Sequence, residues 1–200
     1  MKENVEYNYT KNDLIKDPQK YQMTPFEGAN FLKKYEKSRR IIIKKIEEKN
    51  NCSSIEEIIN ENNNYIFDGK KPIPTKDFLK FSIKNINHFD SEHKIENIIN
   101  TLIKKFEIKK IIFIKYDKNL NEMSDNFKNL TNYLLLSILC LKLYKKNKNL
   151  KYLNATLKLN DTVISQFNII SNINNFILLN YCLTNELNEI KKLKKMKGVF

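Results

Sequence analysis

The chain has no tryptophan, two alanines, two arginines, three glycines and four prolines among its 200 residues. Each scarcity excludes something. Gly28, Gly69 and Gly198 stand alone, so neither of the common glycine-rich phosphate loops can be built. With only Arg39 and Arg40, the chain is poor in the residue that makes most bidentate contacts to phosphates and base edges. Cys52, Cys140 and Cys182 are odd in number, far apart and form no C-x-x-C pair. A disulfide scaffold and a thiolate zinc site are therefore both disfavoured. The same pattern points to a reducing, cytoplasmic setting. The longest apolar run, Tyr133 to Leu141, ends at Lys142 and is far short of the roughly 20 residues a membrane span needs. The first residues carry Glu3, Glu6, Asp13 and Asp17 without an apolar block, so no signal peptide is expected there.

What replaces the missing residues is asparagine (30), isoleucine (27) and lysine (34). Their codons are AT-rich, and those of the missing residues are GC-rich, so an AT-rich genome is the simplest account. Phe (12) and Tyr (10) restore core volume, enough for a folded domain. The net charge of +13 is unevenly spread. Residues 1–100 hold 18 Lys and Arg against 16 Asp and Glu, a net of +2, whereas residues 101–200 hold 18 against 7, a net of +11. Codon drift explains lysine over arginine. It does not explain the loss of acids from the second half.

Hydrophobic period predicts a mostly α-helical fold with a minor β element, α+β at most. Residues 1–22 are polar, aperiodic and read as an extended arm. Residues 23–118 form a helical segment with short strands. Thr24-Pro25-Phe26-Glu27 is a helix start, opening a helix from Pro25 to about Lys49. Ser53-Ser-Ile-Glu56 opens a short helix to Asn60. Tyr65–Phe67 before Asp68-Gly69 resembles a strand entering a turn. Thr75 is placed as the cap of a helix to about Ile86, and Asp90 or Ser91 as the start of another. Ile108–Tyr116 is β-branched and aromatic and predicts a strand. Residues 119–200 form a three-helix segment, with helices near 124–147, 150–168 and 174–196. Its short links make a bundle or helical hairpin packed with the preceding part as one domain. No 34-residue self-similarity is present.

The candidate chemistry is cationic. Lys104, Lys105, Lys109 and Lys110 flank the expected strand, Lys145 and Lys146 a helix junction, and Lys191, Lys192, Lys194 and Lys195 the last helix. Lysines in such groups neutralise phosphates without reading sequence; the competing expectation is a solvated lysine surface. His88, Asp90 and His93 are the metal-capable cluster, but histidines five apart do not share a helix face. Asp90 is better placed as a cap, so neither a metal nor a cofactor is expected. Cys140 and Cys182 lie in apolar stretches and are assigned to the core. Asn154, Lys158 and Asp161 share a helix face at i, i+4, i+7 and are expected to face solvent. Asn160-Asp161 is unfavourable in mid-helix, and a broken local rule can mark function or a helix break. These features predict a non-enzymatic interaction protein that binds another protein through its basic C-terminal half, with homo-oligomers allowed. The alternative is a sequence-nonspecific DNA- or RNA-associated protein, for example in replication or maintenance of an AT-rich element. An enzyme with an irregular site comes third.

Overall fold

The computed structural model of the chain describes residues 37, 39–44, 55–60, 70–87, 92–123, 129–167 and 172–196. Residues 39–44 are helical. The elements that follow are α1 (Ile55–Asn60), β1 (Ile73–Pro74), α2 (Thr75–Asn85), α3 (Glu92–Lys109), β2 (Lys115–Tyr116), α4 (Leu130–Asn147), α5 (Leu150–Gln166) and α6 (Ile173–Met196). The chain is mostly α with a small two-stranded antiparallel sheet. The expected arm at 1–22, the strand at 65–67 and the turn at 68–69 lie outside the described residues. Among the described residues, no helix is long and apolar enough to cross a membrane.

The centre is α4. Leu134, Leu135, Leu136, Ile138, Leu139 and Cys140 are all fully buried, so this helix is apolar around its whole circumference rather than along one stripe. Such a helix needs cover on every side, and α2, α5 and α6 supply it. One hydrophobic cluster runs from Ile58 in α1 to Leu183 in α6. The abundant asparagines find a structural use at the helix starts. Asn129 and Asn149 each accept a backbone N–H two residues on, at 3.0 Å, capping α4 and α5. Lys148 closes α4 in the left-handed conformation (φ 57°), its N–H donating to Tyr144 O. The link from α4 to α5 is therefore two residues, and the helices pack as neighbours.

Three expectations need correction. Ile108–Tyr116 is not a strand. Helix α3 continues to Lys109, Ile108 is 71% exposed on its last turn, and Lys110 ends it at φ 56° with its N–H on Phe106 O. Only Lys115 and Tyr116 pair, opposite Pro74 and Ile73. The β-branched residues of 111–113 report burial, not sheet: Ile112 is fully buried without a strand beside it. Side chains satisfy the backbone in place of a ladder. The Tyr133 hydroxyl accepts from Ile112 N–H and donates to Lys110 O, both at 3.2 Å. The Tyr116 hydroxyl accepts from Phe113 N–H. Thr75 supplies the rest, its N–H to Ile114 O at 3.0 Å and its hydroxyl to Phe113 O at 2.7 Å. This is the second correction: Thr75 does not cap α2, because Pro74 holds the cap position and the Thr75 hydroxyl is spent on the 111–114 segment. The third concerns the solvent face expected on α5, described with the site below.

Candidate binding site at the basic end of the bundle

The lysines of the second half fall into two groups that the fold separates. Helices α3 and α5 run side by side in the same direction: Tyr152 meets Glu96 and Asn100, and Lys158 meets Glu107 at 2.7 Å. Helices α5 and α6 run oppositely, since Asn160 meets Glu186 and Leu157 meets Ile190. The start of α5 therefore lies beside the ends of α4 and α6. This juxtaposition brings Lys145, Lys146, Lys148 and Lys151 together with Lys191, Lys192 and Lys195. Lys145 donates to Asn185 of α6 at 2.6 Å. Lys148 lies 5.7 Å from the Tyr144 ring centroid. The Tyr144 hydroxyl is pushed above its ordinary value by burial and by Glu189, and Lys192 opposes that shift. Lys191 and Lys195 are exposed on the last turns of α6; Lys194 belongs to the same helix, and its side chain lies outside the described residues.

Two acids at this end are engaged. Glu189 is held by Lys192 at 2.8 Å, and the Glu96 carboxylate accepts from the Tyr152 hydroxyl. Burial and then Glu96 push the Tyr152 hydroxyl well above the ordinary range, so the proton stays on the tyrosine. Two lysines also have an internal task. Lys142 donates to Ile83 O at 3.1 Å and Lys146 to Ile86 O at 3.3 Å, binding the last carbonyls of α2. A cation there is favoured by the helix dipole. Burial lowers the Lys142 ammonium below its ordinary value, while Glu56 opposes the shift.

At the far end of α3 the lysines are more nearly neutralised. Lys105 and Lys109 share Glu122 at 3.3 and 2.8 Å. Lys109, followed by Lys105, holds the Glu122 carboxyl below its usual range. Lys109 and Lys110 also lie 5.7 Å from the Phe113 and Phe106 ring centroids. Lys104 is exposed. The group expected around a strand thus borders a helix end and a turn, away from the other lysines.

Sequence reasoning missed a buried polar network on α5. Asn154 and Asn160 do not face solvent: they are 3% and 0% exposed. Arg39, itself 3% exposed, donates to Glu186 at 3.2 Å and to Asp161 at 2.6 Å. Asn160 then donates to Glu186 at 2.7 Å and accepts from Ser137 at 2.8 Å. Residues from 39–44, α4, α5 and α6 meet there. The signal was the Asn160-Asp161 pair in mid-helix, a local cost offset by tertiary bonds. Lys158, the third member of the expected face, pairs with Glu107 on α3.

His88 and Asp90 lie outside the described residues, as does the side chain of His93. Among the described residues no group of three or more metal-capable side chains occurs. Cys140 and Cys182 are both fully buried, as expected. Burial pushes both thiols up, that of Cys182 to about 12, which leaves them protonated and poor nucleophiles. No family model, no curated protein and no solved structure matches this chain.

Proposed function

We propose that the protein is a non-enzymatic helical binding protein that presents the lysine-rich end of its bundle to an acidic partner. The observation that supports this is the convergence of Lys145, Lys148, Lys191, Lys192 and Lys195, from the ends of α4 and α6, where Glu189 and Glu96 are already engaged. Like charges gathered in this way create a field that attracts an acidic surface and speeds encounter. The first partner class is another protein with an acidic face. A DNA or RNA backbone is the second reading. It is favoured by the chemistry of the cations: those gathered at this end are all lysines, point charges that do not read bases.

The test compares two fourfold variants on a heparin or phosphocellulose column. Lys145, Lys191, Lys192 and Lys195 replaced by Gln should elute at markedly lower salt than the parent. Gln at Lys104, Lys105, Lys109 and Lys110 should cost less retention. Equal losses from the two variants would show that net charge alone governs retention and would remove the proposed site. A pull-down with and without nuclease then separates a protein partner from nucleic acid.

A further inference from the structure

A cavity of about 150 Å³ lies where α2, α3 and α4 meet, beside the basic end. Ile95, Ile99, Leu139 and Leu143 form its apolar wall. A cavity of this volume holds a single six-membered ring. Four polar side chains border it: Ser82, Glu96, Lys146 and Asn147. Ser82 is fully buried, and its hydroxyl has no hydrogen-bond partner among the described residues. An unpaired buried hydroxyl is costly and uncommon. The carboxylate of Glu96 is bonded to Tyr152. On the solvent side stand the exposed Lys146 and Asn147.

We infer that this cavity binds a small cyclic monocarboxylate carrying a second hydrogen-bonding group, with its ring among the isoleucines and leucines. The carboxylate sits at Lys146 and Asn147, and the second group satisfies the Ser82 hydroxyl. Ser82 and Ile86 lie one helical turn apart on α2, and Lys146 binds Ile86 O, so the neutral and the cationic polar groups stand at different heights along α2. A para-substituted ring carries its two polar groups at opposite ends. The Lys146 ammonium favours an anion over an amine at the mouth. This inference does not depend on the macromolecular partner proposed above.

The probes are 4-hydroxybenzoate, benzoate and phenol, titrated into the full chain and followed by NMR chemical-shift changes. The parent should bind 4-hydroxybenzoate saturably and more tightly than benzoate or phenol. Ser82→Ala should weaken 4-hydroxybenzoate by roughly three- to tenfold, to the level of benzoate, the loss expected for one hydrogen bond. Lys146→Gln should weaken both carboxylates and leave phenol unchanged. Ser82→Ala removes an unpaired hydroxyl, so it should unfold no earlier than the parent, and thermal unfolding checks this. Absence of saturable binding by the parent overturns the inference. So does 4-hydroxybenzoate binding that Ser82→Ala does not change.

Discussion

Arg39→Met tests whether the buried network clamps the 39–44 segment to α5 and α6. The Arg39 and Glu186 side chains are 3% and 0% exposed, and they meet at 3.2 Å. Removing the guanidinium takes away the charge that offsets a carboxylate shut away from water. Breaking a buried ion pair from one side costs about 3–5 kcal/mol. The second contact, to Asp161, adds little, since that carboxylate is 34% exposed and water screens it. Against a total stability of about 5–15 kcal/mol for a domain, the loss is large. For a chain of this size it lowers the melting temperature by roughly 6–20 °C.

The measurement is urea unfolding followed by far-ultraviolet circular dichroism, on Arg39→Met, Glu186→Gln and the double variant. Glu186→Gln keeps an oxygen for the Asn160 amide and removes the charge. The double variant should therefore be more stable than Arg39→Met alone, with a coupling energy above about 1 kcal/mol. Additive losses, or an Arg39→Met protein within about 0.5 kcal/mol of the parent, the range of an ordinary surface substitution, would refute the clamp.

Two further predictions concern backbone strain and pH. Lys110 holds φ 56°, a conformation that costs a residue with a Cβ about 1 kcal/mol and glycine almost nothing. Lys110→Gly should raise stability by about 0.5–1 kcal/mol in the same urea assay, after loss of the cation contact with Phe106; a fall in stability would show that the lysine stem matters more than the backbone. Burial raises the Tyr116 hydroxyl from 10.0 to about 12 and the Cys182 thiol from 9.0 to about 12. Groups raised in the folded state contribute stability that is complete below their unfolded values and is lost as pH rises through the folded ones. Helix signal should collapse between pH 9 and 12 together with phenolate absorbance. Gradual tyrosine ionisation with the helices intact would contradict this burial.

The three C-terminal helices were legible because they combine long periodic stripes with short links, and local rules suffice for that. Their expected limits, near 150–168 and 174–196, lie close to the observed Leu150–Gln166 and Ile173–Met196. The first starts later than expected, at Leu130, where Asn129 caps it. Residues 108–116 were misread because isoleucine in a buried irregular segment looks the same as isoleucine in a strand. The difference lies in partners distant in sequence: Thr75 and Tyr133 bind the backbone that a sheet would otherwise have bound. Asn160-Asp161 was visible as an anomaly, but its partners Arg39 and Glu186 are 122 and 26 residues away from the positions they bind.

The sequence by itself determined the helical class, the burial of Cys140 and the scarcity of acids in the second half. These follow from composition and from periods a few residues long. Only the tertiary structure decided which lysines lie together. It joined the junction after α4 to the end of α6 and left Lys105 and Lys109 beside Glu122. The reason is physical: charges act through space, and the distance between helix ends is set by which apolar faces pack, a property no local stretch of chain contains.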